Sequence, residues 1–312
     1  MSSRKIIIDT DPGQDDAAAI MLALASPELQ ILGVTAVAGN VPLALTQRNA
    51  RIILDICGRG EIPVYAGANA PLERKLVTAE YVHGKSGIDG IEPYEPKIPL
   101  QSANAVDFII ETLQAAADGE ITLCPLGPLT NIALALQRAP EIKPKIREIV
   151  LMGGGFFEGG NVTPAAEFNI YVDPEAAAIV FAAGVPITMM PLDVTHKALT
   201  SRARVARLRE SKSIAAQRMA DMLDFYERFD ETKYGTDGGP LHDPTVIAYV
   251  IRPDLFSGRQ CNVEIETDSE LTLGMTVVDW WHVTDRPKNA NVIRDLDVDG
   301  FFDLFIDRVT RL

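Results

Sequence analysis

Lys5-Ile6-Ile7-Ile8-Asp9-Thr10-Asp11-Pro12-Gly13-Gln14-Asp15-Asp16 joins a strand-like run to a helix-like run across four aspartates. Three consecutive isoleucines do not alternate with polar residues, so they read as a strand covered on both faces, as in a parallel sheet. Residues 15–25 are rich in Ala, Leu and Met and read as a helix that stops near Ser26-Pro27. In open α/β sheets ligands bind beyond the carboxyl ends of the strands, so the aspartates fall where a site is expected.

The same strand-then-helix unit recurs down the chain. Residues 31–37, 63–65, 121–125, 148–152 and 186–190 read as strands. Residues 43–56, 105–117, 129–136 and 174–183 read as helices, the first with Gly58 just beyond it as a C-cap. Residues 201–232 combine helical spacing with alternating charge and predict a helical cap; residues 244–251 predict a further helix. Residues 261–265 and 271–276 alternate around Asp268-Ser269, the signature of a hairpin. Residues 65–100 lack periodicity and carry Gly84, Gly87 and Gly90, and long loops of this kind are commonly functional. No polar linker divides the chain. The expected fold is α/β: a single domain over residues 1–312, with a mainly parallel central sheet, helices on both faces and a helical cap region.

Composition narrows the function classes. Hydrophobic residues at 47% and charged residues at 23% fit an ordinary globular chain of 312 residues. With 43 acidic against 29 basic side chains the net charge is −14, which repels a phosphate backbone on average, so no nucleic-acid partner is expected. A small uncharged or cationic ligand, or a metal ion, fits better. Cys57, Cys124 and Cys261 lie far apart and form no CxxC, so neither a disulfide framework nor a zinc cluster is expected. The apolar run before Asp9 is too short for a signal h-region, and no later run is long enough to span a bilayer. The expected location is the cytoplasm, with no membrane partner.

Asp9, Asp11, Asp15 and Asp16 place four carboxylates within eight residues. Each close pair of such charges repels by roughly 4 kcal/mol at an effective dielectric of 20. A hard divalent cation offsets that repulsion, and an all-oxygen donor set selects Ca²⁺ or Mg²⁺ over Zn²⁺. Helix capping accounts for one or two aspartates before a helix, not for four. Further on, His242-Asp243-Pro244 precedes a helical run, and Asp-Pro is the pattern of an N-cap with Pro at N1. Asp173-Pro174 shows the same pattern with no histidine beside it. At Asp243 a cap and a metal ligand can coexist, since a cap leaves one carboxylate oxygen free.

Polar residues also gather at other strand ends: Gly39-Asn40, Gly127-Pro128-Leu129-Thr130-Asn131, Met152-Gly153-Gly154-Gly155 and, past a loop, Glu167-Phe168-Asn169. Glycines there permit close backbone approach, while amides and acids suit hydroxyl groups. Few basic residues occur at these ends, and neither GxGxxG nor a Walker motif is present, which argues against a phosphate.

Taken in order, the 9–16 block, Ala38-Gly39-Asn40, His83-Gly84, the 127–131 and 152–155 runs, Asn161, Ala166-Glu167-Phe168-Asn169 and His242-Asp243 resemble the inosine-uridine preferring nucleoside hydrolase family. The resemblance runs from residue 6 to about residue 252. It implies a ribonucleoside substrate, a role in nucleoside salvage and a homo-oligomer, dimer or tetramer. It implies a Ca²⁺ held by Asp11, Asp16, the backbone carbonyl of Leu126 and Asp243. Many relatives carry Thr at that backbone ligand, a departure that leaves the ligand atom unchanged. By the same resemblance Asp15, Asn40, Asn161, Glu167 and Asn169 hold the ribose hydroxyls, Met152 lines the sugar pocket and Phe168 joins the substrate contacts.

The chemistry suits these residue types. Cleaving an N-glycosidic bond builds positive charge on the sugar, which a carboxylate-rich pocket stabilises. A Ca²⁺-bound water would be activated by Asp11 as general base, with Asp11 kept ionised by the cation. The departing base needs a proton or a hydrogen bond, and His242 is the candidate because histidine titrates near pH 7 when unperturbed. His83 would contact the base or the 5′ side. Tyr226, Asp230 and Tyr234 are spaced four apart and share one helix face, making Tyr226 and Tyr234 candidate base contacts. Some relatives stack aromatic rings where this chain has His242, so pyrimidine or mixed purine and pyrimidine nucleosides are the expected substrates. Two other readings stand beside this one. A non-catalytic protein that binds ribose or Ca²⁺ would keep the hydroxyl partners without a poised base. A haloacid-dehalogenase-like phosphohydrolase also opens with Asp-x-Asp, but needs a hydroxyl residue where this chain has Gly13.

Overall fold

The computed structural model describes residues 3–234 and 238–312, with residues 229–234 described as backbone only. The isoleucine run lies in β1 (Arg4–Thr10), where Ile6, Ile7 and Ile8 are wholly buried. Successive side chains of a strand point to opposite faces. Accordingly Ile6 and Ile8 join one hydrophobic core and Ile7 joins another. Helix α1 (Gln14–Leu24) follows across Pro12-Gly13 and is buried along its whole length, which explains its lack of a polar face.

The chain continues through β2 (Leu29–Ala36), α2 (Leu43–Ile56), β3 (Val64–Ala66), α3 (Glu80–His83), α4 (Ala105–Gln114), β4 (Ile121–Pro125) and α5 (Thr130–Arg138). Then come β5 (Ile146–Met152), α6 (Phe168–Val172), α7 (Pro174–Phe181), β6 (Ile187–Met190) and α8 (Leu192–Thr195). The cap divides into α9 (Arg202–Arg209) and α10 (Ile214–Tyr234), and Ser213 Oγ accepts from Ala216 N at 3.1 Å where the second helix starts. The chain ends with α11 (Pro244–Ile251), β7 (Phe256–Cys261), β8 (Val263–Ile265), β9 (Thr276–Val278), β10 (Ala290–Leu296) and α12 (Val298–Val309). Side chains of α1, α2, α10, α11 and α12 build the first core, and those of α4, α5 and α7 build the second.

Eight strands form the main sheet in the order β3-β2-β1-β4-β5-β6-β10-β7, parallel everywhere except between β10 and β7. The expected α/β class, mainly parallel sheet, two helical layers and helical cap are all present. The chain leaves β1 towards β2 and β3, then returns to add β4, β5 and β6 on the other side of β1. The β1–β4 seam is therefore the topological switch point, where open α/β sheets bind their ligands.

The C-terminal part departs from the sequence expectation. Alternation over residues 261–265 predicts one strand, but Cys261 ends β7 in the main sheet while Val263 begins β8 in a separate two-stranded sheet. Asn262 stands at the break, its amide bonded to Glu264 Oε1 at 3.0 Å and Pro287 O at 2.9 Å. A hairpin is present, with Val263 opposite Val278, but its second strand is Thr276–Val278: of the expected 271–276 run only Thr276 is in a strand, and residues 271–274 form a turn. β10 and α12 carry no sharp sequence signal, yet β10 joins β6 to β7, and Phe301, Phe302 and Phe305 of α12 are buried. No helix among the described residues is long and apolar enough to cross a membrane.

Candidate active site

The four N-terminal aspartates do not act as one unit. Asp9 Oδ1 accepts from Thr35 Oγ1 at 2.5 Å and from Asn131 Nδ2 at 2.8 Å, bracing β1 against β2 and α5. Burial raises its pKa to about 7 in spite of those bonds. The remaining acids are joined by one from far along the chain. Asp15, Asp16 and Asp243 are buried and bring carboxylate oxygens within 4.8 Å of one another.

Each member is fixed differently. Asp16 accepts from Thr10 Oγ1, from Gly13 N at 2.8 Å and from Asn40 Nδ2 at 3.3 Å, so it caps α1 while belonging to the cluster. Asp243 makes no capping bond, and its backbone is already helical at φ −66° and ψ −36°. The N-cap role its Asp-Pro motif predicts is thus absent. Asp173 does cap: it accepts from Ala176 N at 3.0 Å, and also from Leu72 N at 3.0 Å and Thr130 Oγ1 at 2.6 Å. Asp11 Oδ2 accepts from Asn40 N at 2.7 Å, whereas its buried Oδ1 has no hydrogen-bond partner among the described residues. A Cβ at Gly39 would fall 2.0 Å from Asp11 Oδ2, and one at Gly127 would fall 2.1 Å from Oδ1. The motif glycines let the loops after β2 and β4 close on this carboxylate.

Burial raises the pKa of Asp11, Asp16 and Asp243 above the ordinary carboxylate range. The charge of Asp16 adds to this at Asp11, and the charges of Asp15, Asp16 and Asp11 add to it at Asp243. The protein alone opposes the ionised Asp11 expected from sequence, so ionisation there depends on a compensating cation. The orphaned Asp11 oxygen, the mutual repulsion and an all-oxygen donor set fit a hard divalent metal.

Asp15 and Asp243 line an open cavity of about 680 Å³, and Asp11 and Asp16 are buried behind that lining. Asn40, His83, Leu126 and Met152 line it as well, together with Asn161, Glu167, Phe168, Asn169, Tyr226 and His242. The lining thus contains the substrate-site residues expected from sequence whose side chains are described, with His242 and two of the expected metal ligands, Leu126 and Asp243; Asp11 and Asp16 lie outside it, and Asp11 is not in the Asp15, Asp16 and Asp243 cluster. The side chains of Tyr234 and Asp230 lie outside the described residues.

The cavity's polar groups are set by backbone partners. Asn40 Nδ2 donates to Asp11 O at 3.1 Å. Asn169 Nδ2 donates to Leu126 O at 2.7 Å and Met152 O at 3.2 Å, and a carbonyl bonded once keeps a second lone pair. Asn161 Oδ1 accepts from Phe168 N at 3.0 Å. Glu167 accepts from Asn169 N and Gly154 N, both at 2.9 Å, and burial raises its pKa to about 7 against these bonds. Side chains held in this way need little reordering when a ligand enters.

Histidines complete the wall. His83 Nδ1 lies 2.8 Å from Gln14 Oε1, its ring stacks on Tyr226 at 5.6 Å, and burial lowers its pKa to about 3. His242 Nδ1 lies 2.7 Å from Thr195 Oγ1. Burial, and then the charges of His196 and His83, hold the His242 pKa well below the usual histidine range. The expectation that it titrates near pH 7 is corrected: in this setting the ring is neutral there. A third histidine, His196, lines the cavity with its ring 5.7 Å from that of His242. Sequence reasoning missed His196 and Thr195. Both lie just past β6, where the strand-end rule that found the other sites also applies.

Fixed amides and acids suited to hydroxyl groups, above a buried carboxylate cluster at the switch point, mark the small-molecule site of an α/β protein. Comparison with known proteins makes the class specific, since residues 6–303 match the family described as inosine-uridine preferring nucleoside hydrolase. The chain belongs to that family and is a hydrolase of N-glycosyl compounds. It is 54% identical over 308 residues to an uncharacterized protein of Schizosaccharomyces pombe, covering 99% of each chain. It is 49% identical to the pyrimidine-specific ribonucleoside hydrolase RihA of Photobacterium profundum, covering 98% of this chain and 99% of that one. Among solved structures, the purine-preferring ribonucleoside hydrolase from Gardnerella vaginalis superposes with a TM-score of 0.92 at 36% identity, covering 99% and 98% of the two chains. The phosphohydrolase alternative falls with this membership.

Proposed function

We propose that this enzyme hydrolyses the N-glycosidic bond of ribonucleosides to free base and ribose, with pyrimidine nucleosides, alone or together with purine nucleosides, as its substrates. The observation that carries the reading is the convergence of Asp15, Asp16 and Asp243 at a cavity walled by Asn40, Glu167 and Asn169. Asp11, Asp16, the Leu126 carbonyl and Asp243 would hold Ca²⁺, which takes hard oxygen donors. Bound there, the ion would neutralise the acids and polarise water. Asp11 takes the proton of the attacking water. Asp15, Asn40, Asn161, Glu167 and Asn169 bind the ribose hydroxyls, and Met152 and Phe168 pack on the sugar.

As the C1′–N bond breaks, the carboxylates stabilise positive charge on the ribose. His242 serves the departing base through the ring nitrogen that Thr195 does not hold. Being neutral, it acts as an N–H donor and not as an imidazolium. His83, Tyr226 and, on its helical spacing alone, Tyr234 contact the base. The pyrimidine preference is supported by the name of the 49% identical RihA, against that of the more distant purine-preferring enzyme at 36%. A cytoplasmic dimer or tetramer acting in nucleoside salvage is the setting we propose.

Release of free ribose from uridine, cytidine, inosine and adenosine tests the reading. The expected order of kcat/KM places uridine and cytidine first. Ribose binding without release from any nucleoside would establish the non-catalytic alternative.

A further inference from the structure

We infer that Thr195 is a positioning residue that decides which nitrogen of His242 carries the proton facing the departing base; this rests on the nucleoside hydrolase reading above. Thr195 ends α8 directly beyond β6 and is wholly buried. Its Oγ1, 2.7 Å from Nδ1, is the one hydrogen-bond partner of the His242 ring among the described residues. A neutral imidazole has one donor and one acceptor nitrogen, and the partner of one nitrogen sets the role of the other. A carbonyl or carboxylate in this place would require a proton on Nδ1 and leave Nε2 bare. A hydroxyl brings its own proton. Where Thr195 Oγ1 donates this proton to Nδ1, Nε2 keeps its hydrogen.

The frame around this contact is pinned on both sides. Thr245 Oγ1 donates to His242 O at 2.6 Å. Asp193, two residues before Thr195, accepts from the backbone N–H groups of Phe156 and Phe157, each at 2.9 Å, and of Glu158 at 3.2 Å. These bonds fix α8 against the loop after β5. When the C1′–N bond breaks, its electron pair passes to the base, which takes a hydrogen bond from Nε2–H. Water adds its hydroxyl to C1′, and its remaining proton ends on the released base.

Thr195→Val keeps the volume and removes the hydroxyl. On uridine its kcat should fall about 10-fold with KM changed by less than about twofold, a fraction of what a full acid–base group contributes. On 4-nitrophenyl β-D-ribofuranoside, whose leaving group departs as a stable anion, kcat should stay within about twofold. Thr195→Ser should restore the uridine rate, and ¹⁵N shifts of the His242 ring should show an Nε2-protonated tautomer in the wild type and a mixture in Thr195→Val. Should Thr195→Val fail to fold, Thr195→Cys, with its weak S–H donor, should give the same substrate-dependent split. Wild-type uridine turnover in the folded variant, or an equal loss on both substrates, overturns the inference. A wild type that releases no ribose from uridine refutes the hydrolase reading instead, so the two failures are distinguishable.

Discussion

Asp173-Pro174 and Asp243-Pro244 start two helices with the same dipeptide, and the protein uses the two aspartates for opposite ends. Asp173 stands outside its helix at φ −142° and ψ 75°, so its carboxylate reaches back to Ala176 N and collects two more donors. Asp243 is already helical, and the first turn is served by backbone carbonyls, with Thr245 N donating to His242 O and Val246 N to Asp243 O. Its carboxylate is thereby released from capping and faces Asp15 and Asp16. A motif that marks a helix start does not say what its acid binds. The backbone conformation of the aspartate itself decides that.

Replacing each member of the pair should separate the roles. The largest effect belongs to Asp243→Ala, which should lose the metal and cut kcat by about 10³-fold or more, measured as ribose release alongside metal content. Retained metal with full turnover would make Asp243 a second Asp173. His242→Ala, beside it, should lower kcat by about 10²-fold with metal content unchanged; an unaltered kcat on every natural nucleoside would remove His242 from base departure. Acid should weaken the cation site as well. The metal-free carboxylates of Asp11, Asp16 and Asp243 hold their protons above the ordinary range. The cation must displace those protons, so affinity falls as pH falls, by about 10-fold or more between pH 7.5 and 5.5. Titrations at the two pH values check this, and Asp173→Ala should leave the slope untouched. That variant gives the smallest effect: a loss of about 1–3 kcal/mol of stability in chemical denaturation, from a lost cap and stranded buried donors, with kcat and metal retained.

Much of this architecture is legible in the sequence because burial on both faces leaves a direct mark. The unalternating Ile6-Ile7-Ile8 announces a central parallel strand, and the acids and glycines that follow such strands announce the site. The allotment of the acids is less legible. Asp9 follows Ile7 by two and so points to the face that α5 covers, where Asn131 meets it. The period-2 rule contains that answer, but four neighbouring aspartates suggest a single cluster. Asp243 and His196 reach the cavity, and Thr195 the His242 ring, through tertiary packing, and no local spacing ties them to residue 11. Asn262 follows one strand and precedes another in a different sheet, a break that alternation across it conceals.

On the proposed function Asp243 belongs to a cation site and Asp173 does not. Calorimetric titration of Ca²⁺ into chelator-treated wild type, Asp243→Asn and Asp173→Asn separates the two. One site per chain is expected in the wild type and in Asp173→Asn, with no measurable binding in Asp243→Asn. A wild type that takes up no Ca²⁺, or an Asp243→Asn variant that binds it as tightly as the wild type, would refute that division of roles.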